Sequence, residues 1–258
     1  MRQITDINEL RQLQMSILDS VHEYCQAHSL RYFLSSGTLI GAVRHGGYIP
    51  WDDDIDIYMP RKDYEQFLQS YEHTHYRVID PSREPHYYYT FAKVVDLRTR
   101  MVEAETKGYE IGVYIDIFPV DYVSNDPQER ERVFRRKKLL YKIRRCKISN
   151  SNPLRSRLAY WCYRLLPLPV KLIELRIRKL IVLQTPTQTV CNMTEAGPGV
   201  TGCFPAADIT SDIDIAFESK TYKTMVGYKD YLTRTYGDYM TLPPIEKRVT
   251  HHFEAYWK

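Results

Sequence analysis

The sequence predicts a mixed α/β (α+β) fold, a small mostly antiparallel or mixed sheet flanked by helices, with a basic helical segment inserted into it. Three observations carry this reading. Apolar residues recur at three- and four-residue intervals in several segments. Other short runs alternate apolar and polar residues by twos, the period of a half-buried strand. Charge is also unevenly spread: Arg130 to Lys179 holds 17 Lys and Arg against 2 acids, a net +15, while the rest of the chain sums to −11.

The length of 258 residues suits one catalytic unit over 1–258 with the helical insertion at 127–184 inside it. A hydrophobic content of 43% with 26% charged residues is that of an ordinary globular protein. The five cysteines are scattered, with no Cys-x-x-Cys and no histidine at zinc-finger spacing, which excludes a metal knuckle and fits free thiols. The first residues have no apolar core, and the most apolar stretch, Leu158 to Val170, is interrupted by Arg164, Pro167 and Pro169; neither a signal peptide nor a transmembrane helix is expected.

Ile7, Leu10, Leu13, Ile17, Leu18, Val21 and Cys25 describe an amphipathic helix with a structural role. Arg31 to Leu34 reads as a strand, Ser35 to Thr38 as a turn, and Leu39 to Arg44 as a helix stopped by Gly46-Gly47. In Asp52 to Met59, Ile55, Ile57 and Met59 share one face and Asp54, Asp56 and Tyr58 the other, so the two carboxylates point the same way. Pro60 ends that strand. A helix through Tyr64, Phe67, Leu68 and Tyr71 and a strand at Arg77 to Ile79 follow, then longer strands at Tyr87 to Leu97 and Gly112 to Val123. The last of these places Asp116 mid-strand. Pro127 to Lys147 and Leu154 to Leu183 interleave basic and apolar residues at helical spacing, predicting two or three basic helices. After linker-like Thr185 to Gly202, the tail reads as β over Ile213 to Met225, a helix over Tyr228 to Tyr236, and a Pro-rich end.

Phosphoryl transfer requires neutralisation of the phosphate charge and alignment of the attacking and leaving oxygens, which divalent ions held by acidic side chains achieve. Asp54 and Asp56 supply same-face ligands, and a third carboxylate on an adjacent strand would complete the site, Asp116 being the best placed, so the expected cofactor is Mg²⁺ or Mn²⁺. Ser36, Gly37 and Thr38 at a helix start offer backbone N–H groups to a donor's phosphates.

The run SSGTLIGAVRHGGYIPWDDDIDIYMPRKDYEQF resembles the signature of the LicD family of phosphocholine transferases. Phe91-Ala92-Lys93, Ile115-Asp116-Ile117-Phe118-Pro119, Tyr231-Leu232, Tyr236-Gly237-Asp238-Tyr239-Met240 and Leu242-Pro243-Pro244 extend the likeness over most of the chain outside the basic helices. That family is related to fukutin-type transferases and, more remotely, to the nucleotidyltransferase superfamily. The 15 residues between Thr38 and Asp54 exceed the usual superfamily spacing, and the RHGGYIPW loop that fills them is shared by LicD-like proteins. The resemblance implies transfer of a phospho-alcohol, commonly phosphocholine, from a CDP-activated donor such as CDP-choline. The acceptor would be a hydroxyl of a lipid-linked or cell-surface glycan of lipopolysaccharide or teichoic acid type, and CMP would be released in the cytoplasm, in peripheral contact with the inner membrane face.

Several residues admit two readings. Arg44 and His45 are placed to meet either donor phosphates or acceptor. Lys93 reads equally as a phosphate ligand or a solvated strand lysine, and Asp116 as a metal ligand or a buried acid paired with an arginine. Asp52, which shares the alternation of Asp54 and Asp56, is a stronger contributor than Asp53. His251 and His252 read as surface residues, and Asp212-Ile213-Asp214 lacks the glycine turn upstream of a metal site. An EF-hand is excluded because Ile57 occupies the glycine position and Asp63 the final glutamate position. A GT-A glycosyltransferase also uses Asp-x-Asp, but its nucleotide-binding units precede that motif and only 53 residues precede Asp54. An inactive membrane-surface adaptor would have lost one of the acids. The basic helices carry no recognised nucleic-acid motif, and their Leu, Trp and Tyr suit an anionic membrane surface.

Overall fold

The computed structural model describes residues 1–84, 87–102, 111–149, 154, 156–194, 202–248 and 254–258. Strand β1 (Arg2–Ile4) leads into α1 (Ile7–Ala27), whose first turn is capped by Asp6 accepting the Asn8 N–H at 2.9 Å. The expected stripe faces inward, and Gln14 is buried with it. Then come β2 (Phe33–Leu34), α2 (Ser36–His45), β3 (Asp56–Pro60), α3 (Arg61–Ser70), β4 (Tyr76–Ile79), β5 (Ala92–Asp96), β6 (Thr99–Val102) and β7 (Tyr114–Val123). Helices α4 (Pro127–Ile148), α5 (Arg157–Leu165) and α6 (Val170–Ile181) follow. The chain closes with β8 (Thr189–Cys191), β9 (Cys203–Pro205), the hairpin β10 (Asp212–Phe217) and β11 (Lys220–Met225), α7 (Tyr228–Tyr236) and β12 (Glu254–Trp257).

The main sheet runs β2-β3-β7-β5-β4, with β8 joined to β7 and β9 to β8. β3 and β7 are parallel and the other neighbours antiparallel, so the sheet is mixed. Long apolar side chains of α1, β3 and β7, among them Leu10, Ile17, Ile57, Ile115 and Ile117, form the main core. The parallel pair needs a crossover, and α3 begins it, with Tyr64 and Phe67 buried in that core. A smaller sheet, β1-β12-β6, joins the two ends of the chain.

Several boundaries differ from the sequence reading. Helix α2 starts at Ser36 rather than Leu39, so Ser36, Gly37 and Thr38 form its first turn. It stops as expected at Gly46, whose φ of +70° suits a residue without Cβ. β3 begins at Asp56, leaving Asp54 in irregular chain before it. Only Ala92–Asp96 of the expected Tyr87–Leu97 strand pairs, because the ladders to β4 and β7 extend no further. β1, β6, β8, β9 and β12 are too short to show a period, and partners elsewhere in the chain select them.

The basic segment forms three helices among the described residues, with a second core of Phe134, Tyr141, Ile143, Ile173, Ile177 and Ile181. It is not uniformly solvent-facing. Lys137 and Arg144 are buried, and Arg144 engages Glu174 at 3.0 Å and donates to the carbonyls of Tyr87 and Tyr88 at 2.7 and 2.8 Å. Arg178 pairs with Glu65 of α3 at 2.6 Å. These cations tie the helices to the sheet's flank.

Candidate active site

The sheet register assembles a row of charge. Asp56 of β3 is the partner of Asp116 on β7, and Asp116 is the partner of Lys93 on β5. Residues directly opposite one another project from the same face, so two acids and one cation stand side by side across three strands. The Lys93 ammonium meets Asp116 Oδ1 at 2.6 Å. Lys93 is 1% exposed, which removes the reading of a solvated strand lysine. Its Nζ lies 3.3 Å from the ring centroid of Tyr114, 4.3 Å from that of Tyr89 and 5.4 Å from that of Phe91. The ring faces of this aromatic collar attract the desolvated ammonium, and the Asp116 carboxylate supplies its counter-charge.

Asp56 is held by backbone. Its N–H donates to Thr38 Oγ1 at 2.8 Å and its carbonyl accepts the Ser35 N–H at 3.0 Å, which locks β3 to the entry of α2. The Asp116 N–H donates to the Ile55 carbonyl at 2.8 Å, one step before the assigned strand. The Thr38 hydroxyl thus positions Asp56, a side-chain contact separate from the backbone N–H groups read toward the donor's phosphates. Ser36 holds a φ of +50°, a left-handed conformation that costs energy in a residue with a Cβ. Beside it, the buried Ser35 hydroxyl has no hydrogen-bond partner among the described residues. A Cβ on Gly37 would stand 2.7 Å from Asp52 Oδ2, so the Asp52 carboxylate packs against the first turn of α2, at the positive end of its dipole. Asp53 is buried, and its carbonyl accepts from Gln14. Asp54 is half-buried, two residues ahead of Asp56.

Arg44 at the end of α2 donates to the Tyr239 carbonyl at 2.7 Å and contacts His45 at 2.9 Å. Burial, then the nearby Arg248, lower its pKa. Burial, then Arg44, likewise lower that of His45. Arg248 also stacks over Trp51 at 5.2 Å. The late Tyr239 segment therefore folds back on α2 and brings a second cation to the loop ahead of the acids. His251 and His252 lie outside the described residues.

Two contributors escape a sequence reading. Arg11 donates to the carbonyls of Ile49, Pro50 and Asp52, its shortest bond 2.6 Å, and lies 4.7 Å over the Tyr48 ring. Gln14 donates to the Asp53 carbonyl at 2.7 Å and accepts from Tyr48 at 3.0 Å. Both sit on α1, read as purely structural; the polar Gln14 within the apolar stripe was the available signal. Asp212 and Asp214 share Lys223 of β11 at 3.2 and 2.7 Å, an ion pair across the hairpin.

No group of three His, Cys, Asp or Glu side chains is arranged to hold a metal ion among the described residues. The row instead provides two adjacent carboxylates with Asp54 upstream. This donor set fits Mg²⁺, which is commonly held by one or two carboxylates and completed by substrate phosphates. A cavity of about 370 Å³ lies elsewhere, between α3 and α6, and none of the three acids lines it.

Comparison with known proteins places this site within a matched region. The family model described as "LicD/FKTN/FKRP, nucleotidyltransferase domain" matches residues 29–157, which include the α2 entry, the acids and Lys93. The lipopolysaccharide cholinephosphotransferase LicD of Haemophilus influenzae is 32% identical over 271 residues, covering 99% of each chain. The ribitol 5-phosphate transferase FKRP of Homo sapiens is 53% identical over 32 residues, 12% of this chain and 6% of that protein. Mannosyltransferase regulator 4 of Saccharomyces cerevisiae is 30% identical over 122 residues, 44% of this chain and 10% of that protein. The chain belongs to the LicD family and is a transferase of the LicD phosphotransferase type.

Proposed function

We propose that the protein transfers a phospho-alcohol, phosphocholine foremost, from a CDP-activated donor to a hydroxyl of a cell-surface glycan, with release of CMP. The row Asp56–Asp116–Lys93 beside the α2 entry is the observation that carries this reading. The whole-length similarity to a lipopolysaccharide cholinephosphotransferase supports choline as the alcohol and a lipopolysaccharide-type acceptor.

Asp56 and Asp116 would hold Mg²⁺ or Mn²⁺, with Asp54 as a third ligand. The bound ion would supply charge neutralisation on the transferring phosphate. The Lys93 ammonium balances Asp116 and fixes its carboxylate, while Thr38 fixes the backbone of Asp56. The backbone N–H groups of Ser36 and Gly37 face the donor's phosphates in this reading, and the Asp52 carboxylate now packed on Gly37 yields that place when an anion arrives. Arg44 and Arg248 form the cationic wall on the side of the RHGGYIPW loop. A lipid-linked acceptor would bring the enzyme to the inner membrane face as a peripheral protein.

The test is incubation with Mg²⁺ or Mn²⁺ and a panel of CDP-choline, CDP-ethanolamine, CDP-glycerol and CDP-ribitol, measuring CMP release with and without glycan acceptors. Metal-dependent CMP release with CDP-choline is expected, and chelation should abolish it. Release from another CDP-alcohol alone would replace choline, and no release from any donor would favour an adaptor that keeps the fold without the chemistry.

A further inference from the structure

Helices α5 and α6 present an unusual outer face. Leu158, Trp161, Cys162 and Leu165 fall at i, i+3, i+4 and i+7, the spacing of a single helical stripe, and every one is exposed. Leu158 is 77% exposed, Leu165 73% and Trp161 53%. A stripe of this kind ordinarily packs inward. Here the inward side is held by Tyr160, which is buried, and by Arg164, whose guanidinium donates to the carbonyls of Cys146 and Ser149 and to Tyr160. Exposed apolar side chains recur in the turn after α5, at Leu166, and on α6, at Leu172 and Leu175, the last of these also lining the cavity between α3 and α6, while Ile173, Ile177 and Ile181 are buried.

Single exposed leucines are ordinary; a helical stripe of them is the mark of an interaction surface. Its chemistry selects the partner. Between Arg157 and Leu183 there is no Ser, Thr, Asn, Gln, Asp, His or Gly, and the acid present, Glu174, is engaged by Arg144. The exposed charges are therefore cations: Arg157, Lys171, Arg176, Arg178 and Lys179. A typical protein interface carries about ten direct hydrogen bonds, which need acceptors as well as donors, and this surface offers cationic donors with few side-chain acceptors. A fluid anionic bilayer needs only apolar side chains at the acyl boundary and cations at the phosphates. No described helix is long and apolar enough to cross a membrane, so the contact would lie along the surface.

We propose that α5, the turn after it and α6 form a docking surface for an anionic phospholipid bilayer, with Leu158, Trp161 and Leu165 entering the headgroup boundary and Arg157, Lys171, Arg176 and Lys179 meeting lipid phosphates. This names the surface for the peripheral contact of the previous section, and it is independent of which group is transferred. It also moves the contact away from α4, where Lys137 is buried.

The experiment is co-sedimentation of the full chain with vesicles of phosphatidylcholine alone or mixed with phosphatidylglycerol, at low and high salt, without substrate. Binding should require phosphatidylglycerol and weaken with salt. Replacing Lys171, Arg176 and Lys179 by Gln should lower partitioning on the order of 100-fold. Leu158→Ser with Trp161→Ser should lower it at least about tenfold, and brominated acyl chains should quench Trp161 fluorescence in a Trp51→Phe, Trp257→Phe background. The α4 variant Arg135→Gln, Arg136→Gln, Lys138→Gln should bind with near-normal strength. Circular dichroism and thermal melting verify that the variants remain folded. Absence of vesicle binding, equal binding to neutral vesicles, or loss in the α4 variant alone would overturn the proposal. Each of these leaves the phosphotransfer reading intact, and an inactive protein that still binds would leave the docking surface intact.

Discussion

The sheet centre and the basic helices use charge in opposite ways. At Asp56, Asp116 and Lys93, three charged residues far apart in sequence are brought into one row by strand register, and the structure holds each by a named partner. In α4 to α6, many cations close in sequence are spread over different directions, some turned inward as ties and most left in solvent. The lesson is that the local density of charge is a poor guide to its role. The row's side chains have their positions set by backbone pairing, whereas an exposed helical cation contributes mainly to the field of its surface.

The sharpest way to break this comparison is to neutralise the row. Asp116→Asn and Asp56→Asn should each lower CMP release by at least about 100-fold, more than the loss of an outer-shell partner, with an unchanged circular dichroism spectrum. Near-normal turnover of Asp116→Asn at saturating metal would sink the shared-site model. Lys93→Met leaves a buried carboxylate without its cation and should destabilise the fold by about 3 kcal/mol in urea unfolding, with part of the loss recovered in the Lys93→Met, Asp116→Asn double variant. Arg144→Met should behave like Lys93→Met, since it too is a buried cation; a mild effect there would mean that the helical insertion tolerates what the sheet does not.

A smaller effect should follow from Thr38→Val, which removes the acceptor for the Asp56 N–H. We expect a loss of about 1 kcal/mol in stability and a larger drop in turnover than in donor affinity, because the Thr38 hydroxyl places an acid and the substitution leaves the Thr38 backbone N–H in place. The smallest effect belongs to Arg136→Gln on exposed α4, where neither melting temperature nor turnover should change measurably. A clear activity loss there would show that the helical field reaches the chemistry.

The acid row was legible because a two-residue period is a property of the local chain: Asp56 and Asp116 announced their faces before their strands were paired. That the two strands are neighbours was expected from the need for a third carboxylate, but their parallel direction and the register that pairs Asp56 with Asp116 were not, since nothing in either segment states them. Lys93 showed the same limit more strongly. An alternating lysine reads as solvated until the partner strand supplies Asp116 and the collar of Tyr89, Phe91 and Tyr114 closes around it. Arg11 and Gln14 were hidden for another reason, because their contacts are to carbonyls, and a backbone acceptor leaves no trace in residue identity. The short strands β1, β6 and β12 depend wholly on one another and offer no period to read. By contrast, α1, α3, α4 and α7 are long enough for their spacing or caps to fix them, and each lies close to the range its sequence predicts.

Val123 at the end of β7 and Thr189 at the start of β8 are direct register partners on antiparallel strands. The chain that leaves the sheet before α4 thus re-enters it beside its own point of departure, as the two legs of a hairpin do, however much polypeptide is strung between them. Closing such a gap costs entropy that grows only slowly with length, so this junction tolerates growth, trimming or exchange of its contents without disturbing the strand that carries Asp116. The helices strung between β7 and β8 can therefore diverge faster than the strands that hold Asp56, Asp116 and Lys93 in register.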